Sequence, residues 1–314
     1  MESLIVSSSP HIHSRRTTSN IMRDVVIALL PATVASIVLF GFKAALMIAV
    51  CVASAILSEL IFNIVAKKEQ TIGDFSAVIT GLLLALNLPA KVELWQCMLG
   101  SAFAIIVVKC FFGGLGKNFA NPAITGRVFL LIAFSAIAGG SHTVFTPEIS
   151  AGATPLEIIK SGSEDALPSL LDMLLGNRGG AIGETCAIAL IIGFVYLLCR
   201  KVISWHIPVV FVGTVFVLSL IVKQDLTIAL YEVLGGGLLI GAIFMATDYV
   251  TSPMGRLAKM IFAFGCGLIT VFIRFWGAYP EGVSFAILFM NILSPYIEKI
   301  RVIKPLGGIK NVKK

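Results

Sequence analysis

The sequence predicts an all-α polytopic membrane protein with about ten transmembrane helices. Of its 314 residues, 57% are hydrophobic and only 13% are charged, whereas a soluble domain carries about 25% charged residues. Ten separate apolar stretches follow one another, and about 20 apolar residues suffice to cross the hydrocarbon of a bilayer. Basic residues concentrate in alternate connections between these stretches, which is typical of a chain that crosses the membrane repeatedly.

The ten stretches form two sets of five, separated by the longest polar interval of the chain. The first set occupies residues 25–40, 44–65, 75–89, 95–112 and 122–138, and the second occupies 181–199, 207–222, 226–245, 257–273 and 283–296. The predicted organisation is a cytoplasmic segment 1–24, a first five-helix repeat 25–138, a loop 139–180, a second five-helix repeat 181–297 and a basic tail 298–314.

The basic residues orient this set of helices. With the N-terminus inside, the cytoplasmic side receives Arg15, Arg16, Arg23, Lys67, Lys68, Lys117, Arg200, Lys201, Arg256, Lys259, Lys299, Arg301, Lys304, Lys310, Lys313 and Lys314. The outside receives Lys43, Lys91, Lys160, Arg178 and Lys223, while Lys109, Arg127 and Arg274 fall within or near the ends of spans. The positive-inside rule thus predicts that both termini are cytoplasmic and that loop 139–180 is outside. This topology explains the net charge of +7 without nucleic acid.

The two halves share a weak pattern that suggests an internal duplication. Gly100 and Lys109 match Gly265 and Arg274 at one common offset. Units with an odd number of spans are oriented oppositely in the membrane, so a duplication of this kind predicts two inverted five-helix repeats.

Cysteine and histidine residues give no indication of a metal site. The six cysteines contain no C-x-x-C pair and lie in or beside apolar runs. Free cysteine behaves as a small hydrophobe, so we expect buried or lipid-facing thiols. The alternative is that one cysteine contributes a ligand to a metal site shared with another chain. The four histidines show no spacing of metal ligands on a common helix.

The outer loop contains a local motif around Thr154. The sequence Ser150-Ala151-Gly152-Ala153-Thr154-Pro155-Leu156-Glu157 is typical of a helix start, with threonine at the N-cap, proline at the first helical position and glutamate completing a capping box. Read alone, it predicts only a capped helix.

Three further stretches identify a family resemblance that covers residues 9 to about 300. They are Ser9-Pro10-His11 with Ile21-Met22-Arg23-Asp24-Val25, the run from Gly113 through Asn118, Asn121 and Pro122 to Arg127, and Phe244-Met245-Ala246-Thr247-Asp248. Together they resemble the RnfD/NqrB family, the flavin-carrying membrane subunit that the Rnf ferredoxin:NAD⁺ oxidoreductase shares with the sodium-pumping NADH:quinone reductase. RnfD, the form found in the ferredoxin-linked complex, is the closer match because the N-terminal extension is short here.

The resemblance implies a fold, two cofactors and a site. The fold is a ten-helix inverted repeat like that of urea transporters, in a bacterial or archaeal cell membrane. The cofactors are an FMN joined by a phosphoester to a threonine in an S-G-A-T-type motif and a noncovalent riboflavin. Thr154 matches the FMN-bearing threonine, and Gly152 and Ala153 match the two positions before it. This chain departs from the family at Ala151, where serine or aspartate is frequent.

Other polar residues are assigned through the same resemblance or through their membrane depth. Asn118 and Asn121 match positions that contact riboflavin, and on a helix their spacing would place both on one face. The alternative is that they cap the fifth span before Pro122.

Five ionisable residues complete the candidate set. Asp248 matches an acidic position near the inner flavin and the cation route. Glu59 and Glu232 lie in apolar spans, where an ionisable group is a functional candidate or is buried against a cation such as Arg127 or Lys109. Lys109 is expected to extend its side chain to the interface, and Arg127 to donate to a flavin carbonyl or an acid.

The resulting hypothesis is an electron-transfer protein that works within a complex and is not active alone. Flavins accept one or two electrons, so a series of them relays electrons through a membrane. The implied partners are an extracytoplasmic FMN subunit, membrane iron–sulfur subunits, a cytoplasmic NAD-linked subunit and a flavin transferase, with coupled movement of Na⁺ or H⁺. The alternatives are NqrB of the quinone reductase, a flavin-free channel or secondary transporter, and a scaffold without flavin.

Overall fold

The computed structural model describes residues 17–134, 153–162 and 167–300, and every regular element within them is a helix. The helices of the first half are α1 (Thr18–Phe40), α2 (Phe42–Val65), a 3-10 turn (Ile72–Asp74), α3 (Ser76–Leu86), α4 (Leu94–Phe103) and α5 (Pro122–Ala133). Two short helices, α6 (Pro155–Ser161) and α7 (Leu170–Leu175), lie between the halves. The second half contains α8 (Ala187–Cys199), α9 (His206–Lys223), α10 (Leu226–Leu234), α11 (Leu238–Ile240), α12 (Arg256–Trp276) and α13 (Val283–Lys299).

The architecture agrees with the predicted helical membrane protein. In the described part of the chain, α1, α2, α9 and α12 are each long and apolar enough to cross a membrane, and a fifth span results if α10 and α11 count as one. Apolar side chains such as Val34, Ile61, Ile221 and Phe272 are exposed on these helices. Since a water-soluble monomer rarely exposes large apolar patches, these faces suit lipid. The division into two inverted repeats stays a prediction.

Helix starts follow the caps that the sequence supplies. The Thr17 side chain accepts from the Asn20 backbone N–H at the start of α1, Asp225 accepts from Thr227 at α10, and Asn121 precedes Pro122 at α5. Each cap satisfies a backbone donor that the first helical turn leaves without a partner. The bounds of predicted span six change, because α8 begins only at Ala187.

The two halves pack into one core. A single buried cluster includes Leu29, Met47 and Leu84 from the first half with Phe211 and Phe262 from the second. Helix α1 packs on α8 at Gly193, where an added Cβ would lie 2.3 Å from the carbonyl oxygen of Ala28. Only glycine permits this close approach of the two helix backbones, so α1 packs tightly against the second half.

Three irregular segments in the helices shape the interior. Helix α4 continues as a π-helical segment, Ala104–Cys110, and α11 continues as another, Gly241–Met245. Such segments are rare and often accompany functional sites. Between α10 and α11 the chain bends by 60° at Gly235, Gly236 and Gly237. The bend and both π-helical segments adjoin the cavities described next.

Candidate functional site

One cavity lies where the two halves meet and is named the asparagine cavity after Asn118 and Asn121, which line it. It contains about 760 Å³ of empty space, a figure that includes open solvent at its mouth. Its walls are largely apolar, with Ile79, Leu83, Val25, Ile203 and Phe244 among the lining residues. Further polar groups come from Ser76, Thr80, Lys109, Thr247, Asp248 and Tyr249.

Asn118 presents an unsatisfied acceptor in this cavity. Its side chain is 9% exposed, and its Oδ1 is buried without a hydrogen-bond partner among the described residues. A buried polar atom that lacks a partner destabilises the fold by about 1–3 kcal/mol. The structure therefore offers a carbonyl oxygen for which residues 17–134, 153–162 and 167–300 provide no donor.

Asn121 performs a different task from Asn118. Its Oδ1 accepts from the backbone N–H groups of Ala123 at 3.0 Å and Ile124 at 3.4 Å, so it caps α5, and its Nδ2 donates to the carbonyl of Met245 at 3.2 Å. The capping alternative is thus confirmed for Asn121. The condition for one shared helical face is not met, because the segment 117–121 is a loop that precedes α5.

Asp248 lies beside the asparagine cavity, at the turn that follows the π-helical segment. One of its oxygens accepts from the Thr251 hydroxyl at 3.1 Å and the other from the Val250 backbone at 3.5 Å. Loss of hydration in this setting raises the pKa of Asp248 above its usual value, although both hydrogen bonds act in the opposite sense. Asp248 therefore lines the same cavity as Asn118 and Asn121, while its position near an inner flavin stays a prediction.

Lys109 does not extend to the interface, so that prediction is wrong. Its side chain is 2% exposed and its Nζ contacts Glu59 Oε1 at 2.8 Å, Glu59 Oε2 at 2.9 Å and Ser76 Oγ at 2.5 Å. Thr71 also donates to Glu59 at 2.5 Å. The ion pair satisfies both buried charges, because α2 and the π-helical segment of α4 pack together. The alternative of burial against a cation is confirmed for Glu59.

A second cavity, named the threonine cavity, is lined by Thr154 and encloses about 500 Å³ of empty space, again including open solvent. Its apolar lining residues are Pro89, Leu131, Ala181, Pro280 and Phe285, with Tyr279 beside them. Its polar lining residues are Asn87, Arg127, Glu184 and Glu281. The two cavities have no lining residue in common.

Thr154 forms the predicted capping box at the start of α6. Its Oγ1 accepts from the Glu157 N–H at 3.2 Å, and its own N–H donates to Glu157 Oε2 at 2.7 Å. The side chain is 3% exposed. Because the cap uses Oγ1 only as an acceptor, replacing the hydroxyl proton by another bond to this oxygen is compatible with the cap.

Arg127 belongs to the threonine cavity. Its Nη1 donates to Asn87 Oδ1 at 3.0 Å, and its Nη2 forms an ion pair with Glu281. Of its two predicted contacts, donation to an acid is observed. The structure therefore groups Arg127 with Thr154 and separates it from Asn118, Asn121 and Asp248.

Glu184 is a cavity residue that the sequence interpretation missed. It is 2% exposed, and its Oε1 accepts from the Ala181 N–H at 3.0 Å, while its Oε2 is buried without a partner among the described residues. An ionisable residue inside the apolar run 181–199 is the signal that could have found it, since the same rule selected Glu59 and Glu232.

The loop carrying Glu184 is fastened by the fully buried Arg178. Its Nη2 donates to the carbonyls of Glu184 at 2.8 Å and Leu234 at 2.7 Å, and its Nε donates to the carbonyl of Thr185 at 3.3 Å. Removal of its charge from water lowers the pKa of Arg178 from its usual value. The guanidinium thus ties this loop to the end of α10.

Glu232 is also buried against a cation, which is Arg274 and not Arg127 or Lys109. Arg274 Nη1 donates to Glu232 Oε2 at 2.8 Å, and Arg274 Nη2 donates to the Gly235 carbonyl at 3.3 Å. Lys109 and Arg274, which match at a common offset, therefore each neutralise a buried glutamate in their own half.

Two remaining predictions have only partial structural descriptions. Gly152, like Ser150 and Ala151, lies outside the described residues, while Ala153 directly precedes the Thr154 cap. Within the described ranges, no group of three or more His, Cys, Asp or Glu side chains is placed to hold a metal ion.

Comparison with known proteins gives a family match over nearly the whole chain. The model of the NQR2, RnfD, RnfE family matches residues 5–307. A relative from Acetobacterium woodii, the D subunit of the Na(+)-translocating ferredoxin:NAD(+) oxidoreductase complex, is 43% identical over 99% of this chain and 97% of its own length.

Two further relatives carry related names. The D subunit of the proton-translocating ferredoxin:NAD(+) oxidoreductase complex of Clostridium ljungdahlii is 40% identical over 94% of this chain and 93% of its own length. The D subunit of the ion-translocating oxidoreductase complex of Stutzerimonas stutzeri is 35% identical, with 91% of each chain covered.

Proposed function

This chain belongs to the NQR2, RnfD, RnfE family, and from that premise we propose that it is the RnfD component of an ion-translocating ferredoxin:NAD⁺ oxidoreductase complex. Relatives with 40% and 43% identity bear the corresponding names. The observation that carries the flavin assignment is the position of Thr154, which lines a cavity with apolar and aromatic walls and polar side chains from distant parts of the chain.

The proposed topology is ten spans in two inverted repeats with both termini in the cytoplasm. The loop residues that line the asparagine cavity belong to connections with a predicted cytoplasmic location, and those that line the threonine cavity to connections predicted outside. The cavities would then open on opposite faces of the membrane. In a chain without the exposed Cys199, a cysteine at Lys68 should be labelled only from the cytoplasm and one at Gly162 only from outside.

The residues of the threonine cavity suit an FMN joined to Thr154 Oγ1 by a phosphoester. When bound, this cofactor supplies one- and two-electron transfer. The apolar walls and the rings of Tyr279 and Phe285 suit the faces of a flat aromatic ring system, and polar side chains suit its edge. Arg127 stays fixed by Asn87 and Glu281, so its charge is already oriented before any ligand binds.

The residues of the asparagine cavity suit a noncovalent riboflavin. The free Oδ1 of Asn118 accepts one hydrogen bond, which matches the ring N–H of an isoalloxazine. Asn121, whose donor and acceptor atoms are both used, shapes the cavity by fixing α5 against Met245.

The proposed electron path joins the two cavities. Electrons enter from an extracytoplasmic FMN subunit near Thr154, pass to the asparagine cavity and leave toward a cytoplasmic NAD-linked subunit, with membrane iron–sulfur subunits as neighbours. Movement of Na⁺ or H⁺ is coupled to this transfer. The chain contributes the positions and surroundings of the flavins, while the flavins supply the redox chemistry.

The deciding experiment expresses the chain in a host that contains a flavin transferase. A covalent flavin survives denaturation, so the wild-type band should fluoresce on a denaturing gel, and the peptide that contains residues 153–162 should carry one FMN. Thr154→Val removes the nucleophilic oxygen and should abolish fluorescence. Its cost to folding is that of a helix cap, about 1 kcal/mol.

Thr33→Val is the matched control. Thr33 lies on α1 away from both cavities, and its hydroxyl donates to the Leu29 carbonyl, so this variant should fluoresce like the wild type. A dark wild-type band in the same host would refute the FMN assignment and favour the flavin-free transporter.

A further inference from the structure

Glu184 differs from the other acidic group that lines the threonine cavity. Glu281 is paired with Arg127, whereas Glu184 forms no ion pair within the described ranges. Its Oε2 is buried and has no partner there. A charged oxygen in this state is costly to bury, so the atom requires a proton, a cation or a ligand donor.

The surroundings of the helix break favour a proton over a metal cation. A Cβ added at Gly237 would lie 3.5 Å from Glu184 Oε2 and 3.1 Å from Arg127 Nη1. The Arg127 guanidinium and the free oxygen of Glu184 therefore both face Gly237, and the positive charge of the guanidinium would repel a metal ion there. The backbone carbonyls that a cation needs at a broken helix are also occupied, because Arg178 binds that of Leu234 and Arg274 binds that of Gly235.

The position of the carboxyl is fixed from two directions. The Ala181 N–H holds Oε1, and Arg178 holds the main chain of Glu184 itself. Oε2 is thereby left as the atom that is free to exchange a proton, in a cavity that Thr154 also lines. The charged groups that act on Glu184 are Arg127 of α5, Arg178 of its own segment and Glu281 of the connection to α13. Cys186 and Arg274 act on Arg178.

From these contacts we infer that Glu184 is the proton-exchanging residue of the threonine cavity. The inference rests on the proposed FMN at Thr154. When the electron pair that originates from reduced ferredoxin reaches this cavity, Glu184 gives one proton from Oε2 to the reduced flavin ring and is left as a carboxylate. When the electrons pass on toward NAD⁺, Glu184 regains a proton. Any protons lost or gained by the cavity as a whole are exchanged with bulk water at its mouth.

The test is redox-difference infrared spectroscopy on the complex with FMN covalently attached. Reduction should remove the carbonyl stretch of a protonated carboxyl and produce a carboxylate signal, and the carbonyl stretch should shift in D₂O. Glu184→Gln keeps the shape and the acceptor for Ala181 but cannot ionise, so it should lack this signal. Glu184→Asp should restore a carboxyl signal at a different frequency, and the exposed Glu69→Gln should leave the signal unchanged.

The possible outcomes separate this inference from the proposed function. A dark band on the denaturing gel refutes the FMN assignment itself. A fluorescent wild-type band without any carboxyl signal on reduction refutes the role of Glu184, even if no variant folds. Persistence of the signal in Glu184→Gln refutes it as well. A carboxylate signal that responds to Na⁺ but not to D₂O would show that Glu184 exchanges a metal cation and not a proton, which would overturn the inference.

Discussion

The asparagine and threonine cavities are built from opposite kinds of polar chemistry. The asparagine cavity has an amide oxygen without a partner among the described residues, and its buried cation Lys109 is neutralised by Glu59. The threonine cavity has an ion pair on its lining and an additional carboxyl, Glu184, that forms no ion pair within the described ranges. The first is suited to recognise a neutral ligand through hydrogen bonds, and the second to hold an anchored ligand whose charge changes.

In the proposed function, this contrast explains why only one cavity holds its ligand covalently. Hydrogen bonds and apolar contacts can retain a neutral ring in the asparagine cavity. A ligand that lacks a suitably placed N–H would leave Asn118 Oδ1 without a partner. In the threonine cavity, charged side chains line the wall, so the affinity for a noncovalent ligand would change with the charge of that ligand. In the proposed function, the bond at Thr154 retains the ligand independently of its charge.

The largest expected effects come from removing the cation of each cavity. Lys109→Met leaves Glu59, 1% exposed, without its partner, whereas Arg127→Met leaves Glu281, whose side chain is 19% exposed. Breaking a fully buried pair costs about 3–5 kcal/mol, and water reduces this cost at Glu281. Thermal unfolding in detergent should therefore show the larger loss for Lys109→Met.

The double variant Lys109→Met/Glu59→Gln tests the cause of that loss. If an uncompensated charge is responsible, the second substitution should recover much of the stability. Equal losses of stability for Lys109→Met and Arg127→Met would show that burial of the acidic partner does not decide the effect.

An intermediate effect should separate Asn118 from Asn121. Asn118→Leu removes the free acceptor and should weaken riboflavin binding by about 1–3 kcal/mol, while covalent FMN is retained. Asn121→Leu should instead lower stability by about 1 kcal/mol through loss of the α5 cap. Flavin extracted from each purified variant, compared with its melting temperature, checks this division.

The double variant Asn118→Leu/Asn121→Leu should lack riboflavin and keep the fluorescent FMN band. Full riboflavin in this variant, or its absence from the wild type, would contradict the assignment of the asparagine cavity.

The smallest expected effect is a pH dependence at Asp248. Because burial raises the folded-state pKa of this carboxyl, the protonated form is favoured in the folded protein. The resulting stabilisation is fully present below the usual pKa of an aspartate and is lost as the pH rises through the folded-state value. Asp248→Asn should flatten the pH dependence of the free energy of unfolding in this window. A profile equal to that of the wild type would contradict this prediction.

The local features of this protein follow from its sequence alone. Apolar stretches placed the helices, the Thr154 motif gave the capping box, and Asn121 before Pro122 gave the start of α5. These features depend on neighbouring residues along the chain, because a cap or an apolar span needs only a few consecutive side chains. For the same reason the family resemblance was readable from short motifs.

Which polar groups share a cavity depends instead on how the helices pack. Asn87, Arg127, Glu184 and Glu281 meet although they are far apart in the chain, and Lys109 turns inward to Glu59 instead of extending to the interface. Apolar patterning shows that a charge lies in a span but does not name its partner, since that depends on how helices and helix breaks pack. Burial makes a charge without a partner costly, and packing alone decides which partner it meets.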